Sequence, residues 1–93
     1  MKVAMLILNE ILALQNGQMV LEGDAVAIQA MLDLDLMLIS QHPRHGALRR
    51  LYQHRVTGAF FELSYPTPEA YAGGPRRLVE LDDVTPEKWL TFP

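Results

Sequence analysis

The chain has 93 residues, of which 49% are hydrophobic and 20% are charged, and its formal net charge is -3. This length predicts one domain, residues 1–93, and the balance of residue types is typical of a globular protein rather than a disordered one. The absence of cysteine excludes disulfide bonds, thiolate metal sites and cysteine nucleophiles.

Neither apolar segment of the sequence predicts an export signal or a membrane span. Asn9 and Glu10 interrupt the N-terminal apolar run, and no cleavage pattern of small residues follows it. Asp33 and Asp35 interrupt the second run, which leaves it too short to cross a bilayer. We therefore expect a soluble, cytoplasmic protein that does not bind membranes.

Charge is unevenly distributed along the chain. Residues 1–39 carry a net charge of -4, residues 40–55 carry +4, and residues 56–93 carry -3. The central segment, SQHPRHGALRRLYQHR, holds all three histidines and four of the eight basic residues. A basic segment between two acidic ones favours internal ion pairing or a polar partner surface as much as phosphate binding.

The first element is predicted to be a helix. Over residues 3–14, Val3, Ile7, Ile11 and Leu14 recur at helical spacing. The pair Asn16-Gly17 ends this element, either as a helix C-cap or as the two-residue turn of a β-hairpin. The leucine-rich composition before the pair favours the helix, followed by a short strand at 18–22.

A second helix is predicted over residues 25–39, with Asp24 as its N-cap. Its second half, residues 32–39, is ambiguous: as a helix it is apolar nearly all round, whereas as a strand its four leucines share one face. The abundance of alanine, methionine and leucine favours the helix. A third helix is predicted over residues 43–55, with Pro43 in its first turn.

The C-terminal half predicts strands. Residues 56–65 are rich in aromatic and β-branched residues, and residues 76–83 are their expected antiparallel partner. Thr-Pro-Glu occurs at 67–69 and at 85–87, and each copy is typical of the start of a short helical turn, the second carrying Trp89. The predicted fold is therefore α+β: two to three N-terminal helices packed on a small antiparallel hairpin, 56–65/76–83, with a short C-terminal helix.

The basic segment is the candidate binding site. We expect its contacts with a partner protein or a nucleic acid to come from Arg44, Arg49, Arg50, Gln53 and Arg55, on the polar side of the predicted helix. In the alternative interpretation, these arginines bind no partner and instead form ion pairs with acidic residues of the same chain at 33, 35, 80, 82 and 83. The sequence pI of about 5.5 counts against a nucleic acid.

The histidines do not predict a metal site. On the predicted helix His45 and His54 lie on opposite faces, and His42 with His45 lacks a third ligand. Sequence motifs of hydrolases, nucleotide-binding enzymes and metalloproteases are absent. We expect no metal, no cofactor and no catalysis.

The N-terminal half carries more apolar surface than a small α+β monomer would cover. We expect self-association, as a homodimer, through Ile28, Met31, Leu34 and Leu38. The leading hypothesis is a non-enzymatic protein-interaction module, a small regulator or inhibitor whose acidic surface binds a basic partner protein. The alternative is a small nucleic-acid-binding regulator that uses the basic helix 43–55.

Overall fold

The computed structural model describes residues 5–69 and 74–93, which form one antiparallel sheet with two short helices. The strands are β1 Ile7–Gln15, β2 Gln18–Gly23, β3 Leu36–His42, β4 Gly46–His54, β5 Phe60–Ser64 and β6 Arg77–Leu81. The helices are α1 Ala25–Ala30, continued by a π-helical turn Met31–Asp35, and α2 Pro86–Leu90. The strand order is β2-β1-β6-β5-β4-β3, so that β2 and β3 are the two edges.

The predicted architecture of two to three N-terminal helices on a small sheet is wrong, because the first predicted helix is a strand. Residues 7–15 form β1, and the part of the prediction before residue 5 lies outside the described residues. Asn16 and Gly17 both have positive φ, 50° and 79°, as the two-residue turn of a hairpin requires. The turn geometry and the pairing with β2 outweigh a weak helix propensity.

The helix predicted over residues 43–55 is also wrong, since Gly46–His54 is the strand β4. Adjacent residues of a strand point to opposite faces, yet both Leu51 and Tyr52 are buried. Both faces of the sheet are therefore covered at this point. A strand that is covered on both faces has no alternation of apolar and polar residues, which is why its pattern resembled a helix.

The predicted helix 25–39 divides into a helical part and a strand at Leu36. Residues up to 35 are helical as predicted, but Leu36–His42 forms β3, so the helix prediction is wrong for the last part of the segment. Asp24 does not cap α1 with its side chain; its Oδ2 instead accepts a hydrogen bond from the backbone N–H of Asn9, at 2.9 Å. This bond fixes the start of α1 to β1.

The C-terminal elements agree with the sequence pattern. β5 and β6 pair antiparallel, with Phe60 opposite Leu81 and Ser64 opposite Arg77. The hydroxyl of Thr85 accepts a hydrogen bond from the backbone N–H of Lys88, and Pro86 begins α2. The helical turn predicted to begin at 67–69 falls partly on residues 70–73, which lie outside the described residues.

The two faces of the sheet have separate cores. The larger core contains Ile28 of α1 and five side chains from one face of the sheet: Leu36, Tyr52, Phe61, Leu63 and Leu78. On the opposite face Leu51 pairs across with Glu62, whose carboxylate accepts the indole N–H of the fully buried Trp89. Thus α1 covers one face and α2 covers part of the other.

Candidate protein-interaction surfaces

The five residues predicted as a binding site do not form one surface. Arg49 and Arg50 are neighbours on β4 and therefore point to opposite faces of the sheet. Arg44 lies in the turn before β4, and Arg55 lies beyond the other end of the strand. The predicted helical arrangement would have placed them on one side, whereas the strand separates them.

Two of these arginines and Gln53 are already bonded within the chain. Arg49 Nε lies 2.9 Å from Glu62 Oε2, and the same guanidinium donates to the carbonyl oxygen of Pro93. Arg50 Nε donates to the carbonyl oxygen of Ala47 at 2.9 Å. The Gln53 side chain donates to the carbonyl oxygen of Gly58 at 3.2 Å. Only Arg44 and Arg55 of the five are exposed without a side-chain partner among the described residues.

Glu62, Arg49 and Trp89 form a polar cluster that fastens the C-terminal segment to the sheet. One carboxylate oxygen, Glu62 Oε2, accepts both from Arg49 Nε at 2.9 Å and from Trp89 Nε1 at 2.6 Å. The acids expected to pair with the arginines did not include Glu62. Burial of the indole N–H requires such an acceptor, so this cluster has a structural role.

The histidines also make structural contacts. His42 is buried, its Nδ1 accepts from the backbone N–H of Arg44 at 3.1 Å, and its Nε2 therefore carries the proton that is donated to the carbonyl oxygen of Phe92 at 2.8 Å. His54 Nδ1 accepts backbone N–H groups of the following turn. Within residues 5–69 and 74–93, no group of three or more His, Asp or Glu side chains is placed to hold a metal ion.

A buried ion pair joins β1 to the segment before β6. Glu10 is 4% exposed, and its two carboxylate oxygens accept from Arg76 Nε and Nη2 at 2.8 to 3.1 Å. Glu10 Oε1 also accepts the backbone N–H of Arg76. The hydrogen bond to Glu10 raises the pKa of the Arg76 guanidinium above its ordinary value, although burial acts in the opposite direction. The sequence holds no sign of this pair, because the residues are 66 positions apart.

The end of the β1–β2 hairpin is the first exposed apolar surface, which we call the arm (residues 11–22). Only Ile7–Asn9 of β1 pair with β6, so the arm continues beyond the rest of the sheet as a two-stranded ribbon. One of its faces carries the cross-strand pairs Leu12–Leu21 and Leu14–Met19. Leu14 is 70% exposed, and Ile11 on the other face is 51% exposed.

The second exposed apolar surface, which we call the β3 edge (residues 34–39), combines the end of the π-helical turn with the first part of β3. β4 pairs with one side of β3, and no strand of the described residues pairs with the other side. Leu34 is 73% exposed and Leu38 is 51% exposed. Met37 and Ile39, the neighbours of Leu38 in the sequence, are also exposed. Of the other residues predicted for self-association, Ile28 is fully buried in the core and Met31 packs against it.

No helix in the described part of the chain has the length and hydropathy that a membrane span requires. Comparison with protein-family models, with curated protein sequences and with solved structures gives no match to this chain. Function is therefore inferred from the geometry of these surfaces.

Proposed function

We propose that this protein is a non-enzymatic protein-interaction module, a small regulator or inhibitor that binds a partner protein through its arm. The observation that carries this proposal is the exposure of apolar side chains on both faces of the arm, including Leu14 and Ile11. An isolated two-stranded ribbon is marginally stable in water. Exposed apolar patches on small proteins commonly mark interaction sites.

The charges near the arm indicate the chemistry of the partner. Every charged residue between positions 5 and 24 is acidic, namely Glu10, Glu22 and Asp24. Glu10 is neutralised by Arg76, which leaves Glu22 and Asp24 beside the ribbon. A partner that fits this arm has an apolar cleft with basic residues at its rim, because opposite charges at the rim accelerate and orient association.

Self-association is part of the same proposal. Leu34 and Leu38 are the predicted contact residues that remain exposed, and we propose that they bring two copies together as a homodimer. The absence of cysteine agrees with a reducing compartment, and we propose the cytoplasm as the location.

The arm is tested with Leu14→Ser/Met19→Ser, which removes one cross-strand apolar pair without changing charge. Wild type and variant are each used to capture proteins from cells that produce this chain naturally, and the captured partner is then purified and titrated. We expect the variant to bind at least about tenfold more weakly, a loss of about 1.4 kcal/mol of binding free energy.

The matched control is Val56→Ser, which removes an apolar side chain of 87% exposure from the loop after β4. This control should bind the purified partner like wild type. Equal binding by the arm variant and wild type would contradict a role for the arm. Circular dichroism of each variant verifies that the sheet is intact.

A further inference from the structure

Charged groups at the two ends of β3 have opposite signs and cannot meet within one chain. Asp33 and Asp35 precede the strand, and Arg44 follows it. A strand rises about 3.3 Å per residue, so the two ends lie more than about 20 Å apart. Asp33 Oδ1 accepts from Gln29 Nε2, while the side chains of Asp35 and Arg44 have no partner within residues 5–69 and 74–93. The predicted pairing of arginines with these acids is therefore not made inside the monomer.

The strand between these charges is an open edge with exposed apolar side chains. Met37, Leu38 and Ile39 are consecutive and all exposed, and Leu34 lies just before them. A strand edge of this kind pairs readily with another strand, and soluble proteins usually protect it with charges, prolines or covering segments. The charges here stand at the two ends of β3 rather than in its middle.

We infer that two copies of this protein associate edge to edge through β3, antiparallel, with a two-fold axis near Ile39. This inference rests on the proposed self-association and specifies its geometry. In this arrangement, Asp33 and Asp35, just before β3 of each copy, lie at the same end of the interface as Arg44, just after β3 of the other copy. Acidic and basic ends of β3 therefore meet twice, once on each side of the axis. A parallel arrangement would place acid beside acid and base beside base, which is unfavourable.

The bulge in β3 limits the number of backbone hydrogen bonds that can form between the two copies. Leu38 pairs with Tyr52 and Ser40 with Leu51, which leaves Ile39 without a partner on β4. A bulge interrupts the regular ladder and increases the local twist. Few backbone hydrogen bonds can then form across the axis, so the contact depends on the apolar side chains and on the charges at each end. Dimerisation should accordingly weaken as ionic strength rises.

A pair of charge reversals tests this geometry. One variant is Arg44→Glu, and the other is Asp33→Lys/Asp35→Lys. Each variant alone would bring like charges together at both ends of the dimer, whereas a mixture of the two restores opposite charges at both ends. Sedimentation equilibrium gives the mass of each sample, to be compared with 10.5 kDa for the monomer.

We expect wild type to form a dimer, each variant to dimerise at least about tenfold more weakly, and the equimolar mixture to recover the dimer. A wild-type protein that stays monomeric at about 100 μM would overturn both the inference and the proposed self-association. A wild-type dimer with unaffected variants would overturn the β3 geometry alone. Masses beyond the dimer would indicate a head-to-tail assembly and also overturn it. The arm experiment is independent of all these outcomes.

Crosslinking gives a second measurement that does not depend on the charges. The chain contains no cysteine, so Ile39→Cys introduces a single thiol next to the two-fold axis. Mild oxidation should link this variant into a covalent dimer faster than it links Val56→Cys or Leu14→Cys, whose thiols are exposed but distant from the axis. Equal or faster linking of either control would contradict the proposed interface.

Discussion

Gly74 has a backbone conformation and surroundings that only glycine tolerates. Its φ is 78°, and a Cβ built at this position would lie 2.3 Å from the carbonyl oxygen of Thr67. Gly74→Ala combines backbone strain with this overlap, so we expect it to lower the free energy of unfolding by about 2–3 kcal/mol. Urea denaturation followed by circular dichroism measures the change.

Gly17 provides the matched control for that substitution. Its φ is nearly the same, 79°, but a Cβ there would meet nothing within 4 Å. Gly17→Ala should therefore cost only the backbone term, about 1 kcal/mol. Equal losses for the two substitutions would show that the contact with Thr67 does not matter.

At the residue scale, the sequence could not predict the most constrained polar side chains. Glu10 and His42 resemble surface residues in the sequence, yet both are buried. Their partners are Arg76 and Phe92, which lie 66 and 50 positions away. No local pattern records a contact of that separation. The cap of α2 was predictable because Thr85 and Pro86 act within one helical turn.

Among the elements, the arm should be the least protected part of the sheet. Beyond Glu10, whose backbone N–H donates to the carbonyl oxygen of Arg76, the strand β1 pairs with β2 alone. By contrast, β5 lies between β4 and β6 and carries the buried residues Phe61 and Leu63. When the protein is transferred to deuterated water, we expect amides of the arm to exchange at least about a hundredfold faster than those of β5. Hydrogen-exchange mass spectrometry with peptide resolution measures this difference.

Protection of the arm equal to that of β5 would contradict the description of the arm as an unsupported ribbon. We expect amides of the arm to exchange at the same rate in the monomer and in the dimer proposed above, since the β3 edge lies at the opposite end of the strand order. Binding of the partner protein should slow exchange in the arm.

The elements also show why the sequence predicted helices where strands occur. The N-terminal half is rich in leucine, methionine and alanine, which favour helices, and strand pairing with distant segments overrides this preference. Two signals for the observed structure were present. Asn16-Gly17 was compatible with a hairpin, and the alternating leucines of residues 32–39 were compatible with a strand. β5 was predictable because residues 56–65 are rich in aromatic and β-branched residues, and β6 was predicted as its antiparallel partner.

For the molecule as a whole, the Glu10–Arg76 pair holds the base of the arm against the sheet. Arg76→Met leaves a buried carboxylate, whose side chain is 0% exposed, without its partner. We expect the free energy of unfolding to fall by about 3–5 kcal/mol. Urea denaturation of the full chain provides the measurement, and hydrogen exchange should show the largest loss of protection at the base of the arm.

Arg77→Met is the matched control, because Arg77 is exposed and its side chain has no partner among the described residues. The effect of Arg77→Met on the free energy of unfolding should stay within about 0.5 kcal/mol.

The pKa of Arg76 is raised in the folded protein. Its contribution to the free energy of unfolding is therefore fully present below the pKa that Arg76 has in the unfolded chain, and it is lost only at a still higher pH. Between about pH 7 and pH 10 the difference between the two variants should therefore stay constant.

Whether an apolar residue of this protein is buried or exposed depends on which parts of the sheet its helices and neighbouring strands cover. The excess of apolar residues in the N-terminal half indicated a subunit interface, but part of it serves the core, since Ile28 and Leu36 are fully or almost fully buried. What remains exposed is concentrated at the two ends of the strand order, on the arm and on the β3 edge. The sequence predicted Leu34 and Leu38 as contact residues, but without the strand order it could not place the arm.

Trp89 gives the protein a built-in optical probe. It is the only tryptophan of the chain, it is fully buried, and its indole N–H is bonded to Glu62. Tryptophan emission moves to longer wavelength when the ring becomes hydrated, so the spectrum reports whether α2 is seated on the sheet. Far-ultraviolet circular dichroism reports the strands. A red shift that precedes the loss of strand signal would show that the C-terminal helix detaches before the sheet unfolds.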